Sequence, residues 1–170
     1  MSPQKRIYVA VVGAAVCDAE TAAAARAVGR ELAHKGAVLV CGGRGGVMEA
    51  ACRGAKDEDG ITVGVLPGDE RGEANAYVDL EVVTGIGEAR NAIVVRTADA
   101  VIAIGGGYGT LSEIGLALKM GRPVVGLATW ELGKRGEPVQ AFIEAGTPDQ
   151  AVRTALSQAA ARIGLEGESA

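Results

Sequence analysis

The stretch "DAVIAIGGGYGTLSEIGLALKMGRPVVGL", residues 99–127, carries the pattern that decides the fold. Residues 99–105 are apolar without alternation, as in a strand covered on both faces. Residues 110–121 show helical periodicity, and the run from 122 to 130 is apolar again. Strand, glycine loop, helix and strand in that order describe a β–α–β unit with parallel strands. Glycines this dense let a backbone approach something closely, most often an anion, although they also serve to make a sharp turn.

Working outward, the same alternation continues in both directions. "IYVAVV" (7–12), "AVLVC" (37–41), "ITVGVLP" (61–67) and "VDLEVVT" (78–84) read as strands. Residues 18–36 read as an alanine-rich helix with Asp18 as N-cap and Gly36 as terminator. Residues 47–56 and 87–98 read as further helices, and 68–77 as a mobile surface loop. After a turn region and a short strand, a last helix starts near Thr147, with "TPD" as its cap. The expected architecture is α/β: a Rossmann-like single-domain three-layer sandwich with a central parallel sheet. It spans 1–165, followed by a frayed tail at 166–170. There is no internal repeat and no heptad pattern.

Composition narrows the function. With 48% hydrophobic and 22% charged residues over 170 positions, the chain has the make-up of a globular domain with a real core. A net charge of −4 argues against partners such as nucleic acid or acidic membranes. No signal peptide or apolar span of membrane length is expected, which points to the cytoplasm. Cys17, Cys41 and Cys52 lack CxxC spacing and read as small buried thiols in a reduced compartment. With His34 the sole histidine, no metal site is expected.

Any bound anion must therefore be held locally. In an open parallel sheet, ligands bind beyond the carboxyl ends of the strands. Three loops lie there. The first, 13–18, lacks G-x-G-x-x-G and leads into Asp18 and Glu20, which disfavours a dinucleotide. No P-loop motif occurs anywhere. The second loop, Gly42, Gly43, Arg44, Gly45 and Gly46, offers bare N–H groups and an arginine. The third, Gly105, Gly106, Gly107, Tyr108, Gly109 and Thr110, offers N–H donors and a hydroxyl at a helix start. Both are candidate phosphate-binding loops, with tight turns as the alternative. "TLSE" (110–113) has capping-box spacing, so Glu113 reads either as the partner of Thr110 or as a functional carboxylate. Arg90 reads as a solvated side chain or, because a cation is misplaced at a helix N-terminus, as the partner of an anion.

At these residues a resemblance emerges. "CGGRGGVMEAACRGA", "EARNAIVVRTADAVIAIGGGYGTLSE" and "GRPVVGL" resemble the LOG-like (SLOG) superfamily, often labelled lysine decarboxylase-like, over about residues 7–130. Arg90 and Glu113 match the arginine and glutamate of its R…GG-x-G-T-x-x-E hallmark. Nothing here fits a decarboxylase: no lysine lies in the glycine loops. In the superfamily's phosphoribohydrolases, which cleave nucleoside 5′-monophosphates, the resemblance implies catalytic roles for Arg90 and Glu113 and a phosphate on Gly106, Gly107, Gly109 and Thr110. Three departures stand out. Gly105 replaces a proline, Asn91 replaces the lysine of an R-K pair, and "GGRGGVME" replaces a longer motif. These resemble instead a short branch similar to molybdenum cofactor carrier proteins. The implied function is a cytoplasmic nucleotide-binding or pterin-phosphate-binding protein, a carrier or store. It needs no cofactor, its ligand being a nucleoside monophosphate or molybdenum cofactor, and the enzyme is the alternative. The apolar run Ala92, Ile93, Val94 and Val95 further implies a homodimer or homotetramer.

Overall fold

The computed structural model describes residues 5–164. The expected tail at 166–170 lies outside them. The strands are β1 (Tyr8–Gly13), β2 (Val38–Cys41), β3 (Thr62–Leu66), β4 (Leu80–Val83), β5 (Ala100–Ile104) and β6 (Val124–Leu127). A small antiparallel hairpin of β7 (Gly133–Lys134) and β8 (Glu137–Pro138) follows, then β9 (Ile143–Ala145). Apart from the hairpin, the strands form one parallel sheet in the order β4-β3-β2-β1-β5-β6-β9. The helices are α1 (Ala19–His34), α2 (Val47–Lys56), α3 (Asn91–Thr97), α4 (Tyr108–Lys119) and α5 (Pro148–Ile163). The Rossmann-like sandwich is therefore present.

The unbroken apolar strands serve two cores. Val9 and Val11 of β1 and Ile102 and Ile104 of β5 face α1, α2 and α5. Ala10, Val12, Val101 and Ala103 face α3 and α4. Covered on both sides, these strands have no position for a polar residue, which is why they do not alternate. The ends of α1 follow the sequence. The Asp18 carboxylate accepts the Thr21 N–H at 2.8 Å, and past the other end Gly36 turns the chain with φ +74°. Thr147 caps α5 likewise, accepting from the Gln150 N–H.

Alanine and glycine in α1 and α2 bring the two helices unusually close. A Cβ at Gly29 would run into the carbonyl oxygen of Ala51, and one at Gly54 into that of Arg26. Each helix thus presents its bare backbone to the other, which presses α2 and the loop before it against the end of β1. Gly46 completes the contact. It adopts φ +63°, and the following Val47 N–H donates to the Ala14 carbonyl at 3.0 Å.

Two glycine substitutions should therefore act in opposite directions. Gly29→Ala drives a side chain into backbone that cannot yield and should destabilise by about 1–3 kcal/mol. Gly115→Ala, in the exposed interior of α4 with nothing within 4 Å, should stabilise by roughly 0.5–1 kcal/mol. Urea unfolding of both variants beside the wild type checks the pair of signs.

Candidate functional site

β1 and β5 are neighbours in the sheet, yet β1 leads to α1 on one face and β5 to α4 on the other. Where chains diverge in this way a crevice opens at the carboxyl ends of the strands. Here it is a cleft of about 430 Å³. Gly13, Ala14 and Ala15 line it after β1, and Arg44 and Met48 after β2. Glu88, Arg90 and Asn91 enter from the start of α3, and Gly107, Gly109, Thr110 and Glu113 from α4. Hollows of similar size exist elsewhere, but burial of polar groups singles this one out. Among the described residues the buried polar or charged side chains are Thr62, Arg90, Asn91, Thr110 and Glu113. All but Thr62 line the cleft.

Arg90 is 5% exposed. A short 3-10 turn, Gly87–Arg90, delivers it into α3. Its Nη1 donates to the Val65 carbonyl of β3 at 3.1 Å, while its buried Nε has no hydrogen-bond partner. The guanidinium lies close against Gly42, where any Cβ would collide with it. An unmatched donor this deep is costly unless something arrives to accept from it.

Glu113 is 7% exposed. Its spacing from Thr110 suggests a capping box, but the structure overturns that reading. The helix begins at Tyr108 with Gly107 at the N-cap, and no side chain caps it. Thr110 is already the third helical residue, its side chain tucked beneath Gly106, whose φ is +104°. Glu113 sits one turn further on and has no capping duty. Burial raises its carboxyl from the ordinary value to about 8, against the pull of the Arg90 charge and with a small push from Glu88. Protonated at neutral pH, it can donate a hydrogen bond, and when deprotonated it can act as a base.

Asn91, at the position where the resemblance expects lysine, spans to α4. Its Nδ2 donates to Ser112 Oγ at 3.3 Å, and that hydroxyl donates to the Gly109 carbonyl at 2.7 Å. The polar side chain thus holds α3 and α4 together across the cleft floor.

The two glycine loops divide differently from expectation. From the second, only Arg44 lines the cleft; Gly42, Gly43, Gly45 and Gly46 do not. Gly42 makes room for Arg90, Gly43 for Leu66, and Gly46 for Ala14 and Ala15. From the third, Gly107, Gly109 and Thr110 line it, while Gly105, Gly106 and Tyr108 lie outside. Gly107 and Gly109 have nothing within 4 Å of where a Cβ would stand, so packing does not demand glycine there. Their bareness leaves the N-terminus of α4 open to the cleft. Gly13–Ala15, in the loop that the sequence places at a strand end, line the wall with Asn91, while Met48 and Glu88 went unmarked. The signal for the first three positions was their place after β1, at the point where strand order reverses. Cys41 and Cys52 are free and buried, with sulfurs 3.5 Å apart beneath the second loop. The Gly43 N–H points to the Cys41 sulfur at 3.2 Å, and contact with Cys41 together with burial pushes the Cys52 thiol up.

Comparisons with known proteins agree with this fold. A family model described as the SLOG cluster4 family matches residues 6–164. The molybdenum cofactor binding protein from the phototrophic bacterium Rippkaea orientalis superposes with a TM-score of 0.81 at 34% identity, over 91% of this chain and 98% of that one. The molybdenum cofactor carrier protein from Chlamydomonas reinhardtii gives 0.78 at 31%, over 92% and 99%. A cytokinin riboside 5′-monophosphate phosphoribohydrolase from Oryza sativa subsp. japonica is 38% identical over 101 residues, 54% of this chain and 39% of the rice protein.

The raised carboxyl predicts a pH-dependent cost to folding. An unfolded chain releases this proton at the ordinary value of 4.5, the folded one at about 8. Between those values the folded state binds more protons, so its stability falls as pH rises. Glu113→Gln stays neutral in both states. It should gain on the wild type across that window, by on the order of 5 °C in Tm at pH 8.5, and match it near pH 4.5. Thermal melts at both pH values test this, and a variant less stable at pH 8.5 would mean an ionised Glu113 paired with Arg90.

Proposed function

The chain belongs to the SLOG cluster4 family, and we propose that it is a cytoplasmic binding protein for a small phosphorylated ligand, a nucleotide or pterin phosphate, with molybdenum cofactor the leading candidate. The observation that carries this reading is Arg90. A buried guanidinium with an unmatched Nε lines a cleft whose other wall is the open N-terminus of α4. Both groups ask for an anion. The two molybdenum cofactor proteins support a ligand-binding role, because they are matched over nearly their full lengths.

One observation favours turnover as a second reading. Glu113, with its carboxyl near 8 beside Arg90, is poised to give or take a proton at neutral pH. In this reading the protein is a nucleoside 5′-monophosphate phosphoribohydrolase. Asn91 counts against it, since a lysine there would add a charge and a proton donor.

The deciding experiment is calorimetric titration with AMP combined with an assay for free base, using AMP and N6-substituted adenosine monophosphates. Binding without base release is expected. Base release that falls on the order of 10²–10⁴-fold in Glu113→Gln would establish the enzyme instead. Arg90→Met keeps the stem and removes the donors, and should weaken AMP binding about tenfold or more. The Val65 bond means that this variant should also melt earlier, so affinity is compared well below its Tm.

We propose further that the protein is a homodimer or homotetramer. Val94 and Val95 turn into the core, which narrows the apolar run of α3 to Ile93 at the surface. Leu80, Val82 and Val83 on the edge strand β4, with Ile86 after it, are also exposed. An open apolar sheet edge invites a partner. Light scattering at micromolar concentration should give a multiple of 17.1 kDa; the monomer mass would refute it.

A further inference from the structure

The chain holds five aromatic residues, three tyrosines, one tryptophan and one phenylalanine. Tyr108 and Trp130 meet at the glycine loop after β5, on the flank turned away from Glu113. Helix geometry separates the two flanks. Thr110 and Glu113 are three apart and share one side of α4, while Tyr108 points to roughly the opposite side. Its ring meets Trp130 with centroids 5.8 Å apart and planes tilted by 33°. Trp130 Nε1 donates to the Gly107 carbonyl at 3.2 Å, which fixes the indole to a residue that lines the cleft. Phe142 packs over Gly126 behind it. Trp130 and Phe142, together with Glu131 and Glu144, wall a hollow of about 500 Å³.

Tyr108 itself is 84% exposed. Nothing in the fold requires an aromatic ring at this position. It covers no core, tyrosine is not a strong helix former, and its glycine neighbours leave it bare. A rigid exposed ring anchored by a hydrogen-bonded tryptophan at the edge of an anion cradle is suited to stacking.

We propose that Tyr108 and Trp130 form a shelf for the flat, amino-substituted heteroaromatic ring of the phosphorylated ligand. The Glu131 and Glu144 carboxylates supply acceptors for the ring amino group. This rests on the reading that the N-terminus of α4 holds the phosphate. Purine nucleotides and pterin phosphates share the required chemistry. A ring on this flank lies across α4 from Glu113, so the shelf favours holding the ligand over cleaving it.

The test is calorimetry with ribose 5-phosphate, AMP and neopterin monophosphate, on the wild type, Tyr108→Ala and Tyr108→Phe. Tyr108→Ala should weaken the ring-bearing ligand about tenfold and leave ribose 5-phosphate unchanged, and Tyr108→Phe should restore wild-type affinity. The probe that responds identifies the ring as purine or pterin. The ring-bearing probe AMP should also quench the emission of Trp130, the chain's one tryptophan, whereas ribose 5-phosphate should not. If ribose 5-phosphate and AMP or neopterin monophosphate bind the wild type, but Tyr108→Ala holds every ring-bearing probe as tightly, the shelf is refuted and the phosphate site stands. If no probe binds the wild type, the phosphate site falls and the shelf falls with it.

Discussion

The site depends on one close contact, the guanidinium of Arg90 against Gly42. Burying a cation requires compensation, and the fold supplies only part of it, through the Val65 carbonyl. The Arg90 charge favours an ionised Glu113, but burial outweighs it and keeps the carboxyl protonated near neutrality. Two under-compensated groups therefore share one cleft wall. Stability given up at such a place is commonly tied to binding or chemistry. Gly42 is the constraint behind the first of these groups, because any side chain there would collide with the arginine.

Most of the frame was legible because it depends on local rules. Unbroken apolar runs marked the buried strands, and Asp18, Gly36 and Thr147 marked helix ends through bonds to their own neighbours. The site was legible only in part, because its decisive contacts join distant segments. Gly42 answers to Arg90, Gly46 to Ala14, and Asn91 to Ser112. Glycine density alone could not tell those that accommodate protein from Gly107 and Gly109, which open onto the cleft. The one local rule that misled was the capping box at Thr110 and Glu113. The spacing was right, but the chain turns helical at Tyr108 and leaves Glu113 a turn too far in. The turn region expected before α5 is the hairpin of β7 and β8, whose two-residue strands carry too little pattern to be read, and the short strand expected after it is β9.

The reversal of strand order that opens the cleft also has a consequence for how the chain folds. Val9 of β1 pairs on one edge with Leu39 and on the other with Ala100. During synthesis, β1, β2 and β3 with α1 and α2 can assemble early, but the second edge of β1 stays open until β5 emerges. That edge, Val9–Val12, is wholly apolar, and an unpaired apolar strand is a template for misassociation. Closing it brings together segments far apart in the chain, the slow kind of contact. The same closure sets Gly107–Thr110 beside Gly13–Ala15, so the cleft comes into being only when the exposed edge disappears. An occupied cleft is therefore a certificate that the nascent chain has passed its most vulnerable stage.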